Sequence, residues 1–129
     1  IPGVCVTGAV EDIREYIAKA AIFVCPMVSG SGIKNKVLQA MAMGKAVIST
    51  SLGVESLAIT PGKELYVADT PQAFAQATLK LLQSRATREK LSSDARQFVE
   101  KYHSWDGVGS RYISLYNELM KENASAQSS

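Results

Sequence analysis

Two cysteines in 129 residues, Cys5 and Cys25, are too few for a disulfide framework, so stability has to come from a core. Both sit in apolar runs and read as reduced core thiols of a reducing compartment. The one histidine, His103, has no cysteine or carboxylate at ligand spacing, and no metal is expected. No apolar run approaches the ~18 residues of a membrane span, and no basic segment leads into a leader-like one, so neither a span nor a signal peptide is expected in this stretch. Charge of one sign is also lacking. Fourteen basic and twelve acidic residues leave a net charge of +2, scattered along the chain, which excludes a polyanion-binding surface and with it a nucleic-acid partner. What is there is 47% hydrophobic residues, enough for one modest core and too little chain for two ordinary domains.

The most informative stretch is SGSGIKNKVLQAMAMGKAVIST, Ser29 to Thr50, which reads as glycine loop, helix and buried strand. Gly30 and Gly32 permit a tight turn and close approach of a ligand. Ile33 to Met43 has helical spacing, with Ile33, Val37, Ala40 and Met41 recurring on one face and Gly44 placed to end the helix. Unpaired N–H groups at the start of that helix favour an anion near Gly32 to Asn35, with Lys34 or Lys36 as counter-charges. The glycine spacing matches neither the dinucleotide fingerprint nor the P-loop, so a plain strand-to-helix connection fits the residues equally well.

Around this unit the chain alternates. Val4 to Thr7 reads as a strand, Glu11 to Lys19 as a helix with Ile13, Tyr16, Ile17 and Ala20 in step, and Ala21 to Cys25 as a strand buried on both faces and stopped by Pro26. Ala46 to Thr50 is a third strand, Glu55 to Ile59 a turn or short helix before Pro61-Gly62, and Glu64 to Ala68 a fourth strand. Thr70 and Pro71 mark a helix start, N-cap and first position, with Phe74, Ala77, Thr78, Leu81 and Leu82 on one face. Helices follow over Ala86 to Tyr102 and Trp105 to Lys121. Residues 123–129 read as a polar, disordered tail behind a domain of residues 1–122. Strands alternating with helices predict an α/β fold, a Rossmann-like parallel sheet with flanking helices. The helix-heavy second half needs more sheet than four short strands give, which points to the latter part of a larger domain.

The runs VTGAVEDIREYIAKAAIFVCP, GSGIKNKVLQAMAMGKAVISTSLGVESL, ADTPQAF and the closing YHSW resemble the C-terminal, donor-binding domain of GT-B glycosyltransferases of the family-4 type, the glycosyl transferases group 1. The resemblance covers nearly the whole chain up to the tail. It implies a retaining glycosyltransferase that moves a hexosyl group from a nucleoside diphosphate sugar to a glycan, lipid or small-molecule acceptor, as in polysaccharide biosynthesis. It implies no metal or other cofactor. It also implies a cytoplasmic protein, peripheral at the inner membrane face in its full-length form. The strand-loop-helix unit of the family holds the donor, which makes Gly30, Ser31, Gly32, Ile33, Lys34 and Gln39 substrate-binding residues, with the backbone of Gly32, Ile33 and Lys34 at the phosphates, Ser31 at the position that faces the donor sugar and Gln39 at the ribose.

Where the family carries a Glu-x7-Glu pair, this chain has Ser31 and Gln39. Gln39 can still hydrogen-bond a ribose hydroxyl, without the stronger bond that a carboxylate makes. Ser31 cannot support charge at the anomeric centre, although the loop resembles a subgroup, GxGxKxKxLEA, in which the first glutamate is commonly missing. The preceding strand-helix-strand unit, with an Arg and a Lys for the phosphates, and the N-terminal domain with its acceptor site are not in this sequence. The resemblance therefore implies a fragment that does not turn over alone, and no catalytic residue is assigned within it. In the family the last helix braces the N-terminal domain. With that domain missing, the apolar side chains of Trp105 to Lys121 are expected to drive self-association or to fold onto the sheet. A non-catalytic binding or regulatory module with a decayed donor site is the alternative reading of Ser31 and Gln39.

Other residues carry less. Glu55 reads as a solvated turn carboxylate, with contact to the sugar as its functional alternative, and His103 as helix-end chemistry at a junction between two helices. Trp105 reads as a packing anchor. The adjacent Glu11 and Asp12 suit a helix start better than a metal pair.

Overall fold

The computed structural model describes residues 1–31 and 35–127. Helix α1 (Ile13–Lys19) begins at Asp12, whose extended backbone and side chain, accepting the Arg14 N–H at 2.9 Å, make it an N-cap. The Arg14 guanidinium also bonds that carboxylate and holds its pKa below the ordinary range. Strand β1 (Ile22–Cys25) follows, then α2 (Asn35–Ala42) and β2 (Ala46–Ser49). Helix α2 ends as its sequence predicts. Gly44 adopts φ +69, its N–H donates to Met41 O, and Lys45 N–H reaches back to Ala40 O, the double closure of a glycine-capped helix. The short α3 (Ser51–Val54), β3 (Tyr66–Val67), α4 (Pro71–Gln83), α5 (Arg85–Tyr102) and α6 (Trp105–Gln127) complete the order. Thr70 caps α4 by accepting from Ala73 N–H, with Pro71 at the first helical position where no N–H is needed.

The sheet runs β1-β2-β3, all parallel, with Ile22 beside Ala46 and Ile48 beside Tyr66. Central β2 is buried along its whole length, as a strand covered on both faces must be. Its side chains alternate between two cores. Val47 joins Ile17, Val37, Ala40, Met41, Ala95 and Phe98 on one side, while Ala46 and Ile48 join Ala68, Leu81 and Leu91 on the other. Helix α2 thus covers one face and α4 the other, and α5 reaches both, through Phe98 and Leu91. Each fully buried large side chain, such as Met41 or Leu81, contributes about 1.5–3 kcal/mol relative to its exposed state.

Several sequence expectations need correction. Val4 to Thr7 is not a strand: Val4 is 62% and Val6 90% exposed, and a run without a neighbouring ladder has nothing to hold it extended. Three strands are therefore seen among the described residues instead of four, and Cys5 is an exposed thiol, with Cys25 half-buried and both free. Strand β1 is not buried on both faces, because Val24 on one of them is exposed while Phe23 and Cys25 pack against the core. The fourth predicted strand shortens to Tyr66–Val67, preceded by an isolated bridge between Pro61 and Leu65. Of the predicted face of α4, Leu81 is buried and Leu82 exposed. At the other end α6 continues to Gln127, past the residue at which the polar tail is predicted to begin, consistent with the helix propensity of Ala124 and Ala126. Trp105 is no packing anchor. It is 92% exposed at the start of α6, a helix whose other large apolar side chains, such as Tyr112 and Tyr116, are exposed as well.

Candidate functional site

In parallel α/β sheets the ligand site forms where strands end at their carboxyl edge and the chain turns into helices. Here three such exits lie side by side. From β1 the chain leaves through Pro26, which has no N–H to continue the ladder, and Met27 N–H folds back onto Cys25 O at 3.0 Å. Ser29, Gly30 and Ser31 are exposed. Gly30 holds φ +118, a conformation that side-chain-bearing residues rarely adopt, and a β-carbon there would meet the Met27 methyl at 3.2 Å. The loop therefore requires this glycine and presents bare backbone to solvent. Gly32, Ile33 and Lys34, expected at the phosphates, lie outside the described residues.

Beyond them, α2 begins at Asn35, with Asn35 and Lys36 exposed. Val37, Ala40 and Met41 form its buried stripe. Gln39 is half-buried and, at about 100° per residue, lies on the opposite side of the helix from that stripe. Its side chain is thus not consumed by the core.

The second and third exits supply residues that the sequence reading missed. Thr50, after β2, is 8% exposed and its hydroxyl donates to Met27 O at 2.7 Å. Ser51 donates from both its N–H and its hydroxyl to Asp69 Oδ1, at 2.8 and 2.9 Å, so the β2 exit is tied to the β3 exit as well. A hydroxyl pair directly after a buried strand, with Gly53 close behind, was the available signal. Read alone, it marks only a strand end.

A cavity of about 620 Å³ lies elsewhere, between the approach to β3, α5 and Arg111 of α6. Lys63, Glu64, Phe98, Lys101 and His103 line it, and among the described residues of the glycine loop none does. His103 caps the end of α5 at the predicted helix junction, its ring 5.4 Å from that of Phe98. Partial burial, and then the charge of Arg111, push its pKa below the ordinary histidine value. The glycine loop is the candidate site because it lies where the sheet ends and the backbone is bared. Glu55 is exposed in the turn after α3, the bland position that the sequence suggested.

A parallel sheet with flanking helices and an exposed glycine loop at its carboxyl edge defines a Rossmann-like α/β architecture. Residues 1–84 match the family described as glycosyl transferases group 1, and the chain belongs to that family. It is 32% identical over 84 residues to a D-inositol 3-phosphate glycosyltransferase of Corynebacterium urealyticum, covering 64% of this chain and 20% of that protein. An uncharacterized glycosyltransferase of Methanocaldococcus jannaschii is 25% identical over 122 residues, which are 92% of this chain and 31% of the relative. Among solved structures, sucrose-phosphate synthase from Thermosynechococcus elongatus shares the fold, with a TM-score of 0.62 at 23% identity over 85% of this chain and 28% of that one. The chain spans about a third or less of the proteins that it matches, and it corresponds to part of the C-terminal domain of a GT-B glycosyltransferase.

Proposed function

We propose that this segment is the donor-binding part of a retaining glycosyltransferase that moves a hexosyl group from a nucleoside diphosphate sugar to a glycan, lipid or small-molecule acceptor. One observation carries the reading: the Ser29–Ser31 loop leaves the carboxyl end of β1 with Gly30 at φ +118 and leads toward the start of α2. A diphosphate seated there meets backbone N–H groups and the positive end of the helix dipole. Those same groups stabilise the charge that builds on the diphosphate as its bond to the anomeric carbon breaks. Gly32, Ile33 and Lys34 complete the phosphate contacts in this proposal, and Gln39 meets the ribose. No resident cofactor or metal is invoked.

The remainder of the full-length protein supplies the acceptor site and the other wall of the cleft. The apolar side chains of α6, among them Tyr112 at 70% and Tyr116 at 63% exposure, are what it covers. No helix among the described residues is long and apolar enough to cross a membrane. We place the full-length protein in the cytoplasm, peripheral at the inner membrane face. The segment by itself does not turn over.

Titration of labelled protein with uridine or guanosine diphosphate, followed by chemical-shift mapping, tests the site. Shifts at Gly30 to Lys36 are expected, and shifts clustered elsewhere with none in the loop would refute it. Ser31 and Gln39, both uncharged where the family carries carboxylates, favour a second reading, a binding module without transfer activity. Nucleotide binding by the full-length protein without sugar transfer from a panel of donors would establish that alternative.

A further inference from the structure

We propose that Thr50 is a positioning residue for the glycine loop, fixing its base so that the backbone at Gly30 and Ser31 is held ready for the donor diphosphate. The inference rests on the donor-site reading above, and it adds a residue that touches no ligand. The parallel ladder between β1 and β2 ends at Cys25 and Ser49, and Pro26, lacking an N–H, cannot extend it. One side chain and one backbone N–H take over at that point. Ser49 Oγ and Thr50 N both donate to Cys25 O, each at 3.3 Å. One residue further on, Thr50 Oγ1 donates to Met27 O at 2.7 Å and accepts from Gly53 N–H at 3.3 Å, using the donor and acceptor capacity of a single hydroxyl.

The joint is buried at Thr50, carries no charge of its own and is anchored from behind. Ser51, the next residue, grips Asp69 by two hydrogen bonds, so the turn that holds the loop is fastened to β3. All three strand exits are thereby linked in one line, Met27 to Thr50 and Ser51 to Asp69. Gly30 packs near the Met27 side chain, so a shift of Met27 is felt at the glycine. A loop held in its binding geometry before the ligand arrives loses less freedom on binding, and this is how a residue outside the contact shell raises affinity. Valine, with nearly the shape of threonine, would leave Met27 O and Gly53 N–H without this partner.

The test compares Thr50→Val and Thr50→Ser with the unaltered full-length protein, reading amide hydrogen exchange at Met27 to Ser31 and the dissociation constants of uridine and guanosine diphosphate. Thr50→Val is expected to speed loop exchange and weaken nucleotide binding, each by about five- to tenfold, the worth of one net hydrogen bond. Thr50→Ser, which keeps the hydroxyl, is expected to stay within about twofold on both readouts. A Thr50→Val protein that melts earlier yet keeps its loop exchange and its nucleotide affinity overturns the proposal, because Thr50 is then merely structural. If neither nucleotide binds the unaltered protein, the donor reading fails, and loop exchange alone then judges Thr50. Should Thr50→Val not fold, Asp69→Ala serves instead: faster exchange at Met27 to Ser31 supports the linked exits, and unchanged exchange refutes them.

Discussion

Gly53 lies so close over Ser49 that a β-carbon at position 53 would run into the Ser49 hydroxyl. The hydroxyl cannot easily retreat, because it donates to Cys25 O and Thr50 O in the buried seam between β1 and β2. Gly53→Ala is therefore expected to destabilise the protein by about 1–3 kcal/mol, the range for overpacking a filled site. In a Ser49→Ala background the clash disappears, so the two substitutions together should cost less than the sum of their separate effects. Urea denaturation of the four proteins of the cycle measures this. Strict additivity would show that the two residues do not meet.

Gln39→Glu tests the ribose assignment. A carboxylate accepts a stronger hydrogen bond from a sugar hydroxyl than an amide does, so nucleoside diphosphate affinity should rise by about 1 kcal/mol, roughly fivefold. Calorimetry with uridine and guanosine diphosphate reads it directly. An unchanged or weaker affinity would place Gln39 away from the ribose.

His103 should make stability depend on pH in a particular direction. Its pKa in the folded protein is depressed below the ordinary 6.5, so the unfolded chain takes up the proton first as pH falls. Stability is thus complete above about 6.5 and declines as pH drops from there toward the folded value. A His103→Gln protein should lose less melting temperature than the parent between about pH 7.5 and 5.5. Equal losses in the two proteins would count against the partly buried, Arg111-facing placement of the ring.

Leu81 is fully buried between α4 and β2, in the cluster that contains Ile48 and Leu91. Leu81→Ala should cost about 2–5 kcal/mol, whereas Leu82→Ala, at an exposed position one residue on, should change stability by less than about 0.5 kcal/mol. Comparable losses at the two positions, measured by denaturation, would mean that α4 presents a different face to the sheet.

A polypeptide of these residues alone leaves α6 uncovered. Trp105, Tyr112, Ile113, Tyr116 and Leu119 are all at least half exposed, and contiguous apolar surface of that kind drives association. The 129-residue chain is expected to self-associate in light scattering, and a version ending at His103 to be monomeric. Two monomers of equal thermal stability would show that α6 is neither an interface nor a brace.

The family, the alternation of strand and helix, and several helix ends were legible in the sequence, although the caps at Thr50 and Ser84 were not read from it. Asp12, Thr70 with Pro71, and Gly44 act within a few residues of themselves, so their role follows from local backbone chemistry. Burial was legible only where a second element was bound to cover it. Val47 and Ile48 lie in a central strand and are buried, while Val4 and Val6, of the same residue type or nearly so, are bare because no ladder partner lies beside them among the described residues. Trp105 failed for the same reason, since an aromatic residue at helical spacing says nothing about whether anything faces it. Gly30 could be picked out from its type and the turn it makes. Thr50, Ser51 and Asp69 could not, because hydrogen bonds between three strand exits join residues up to 23 positions apart, and only the folded sheet brings those exits together.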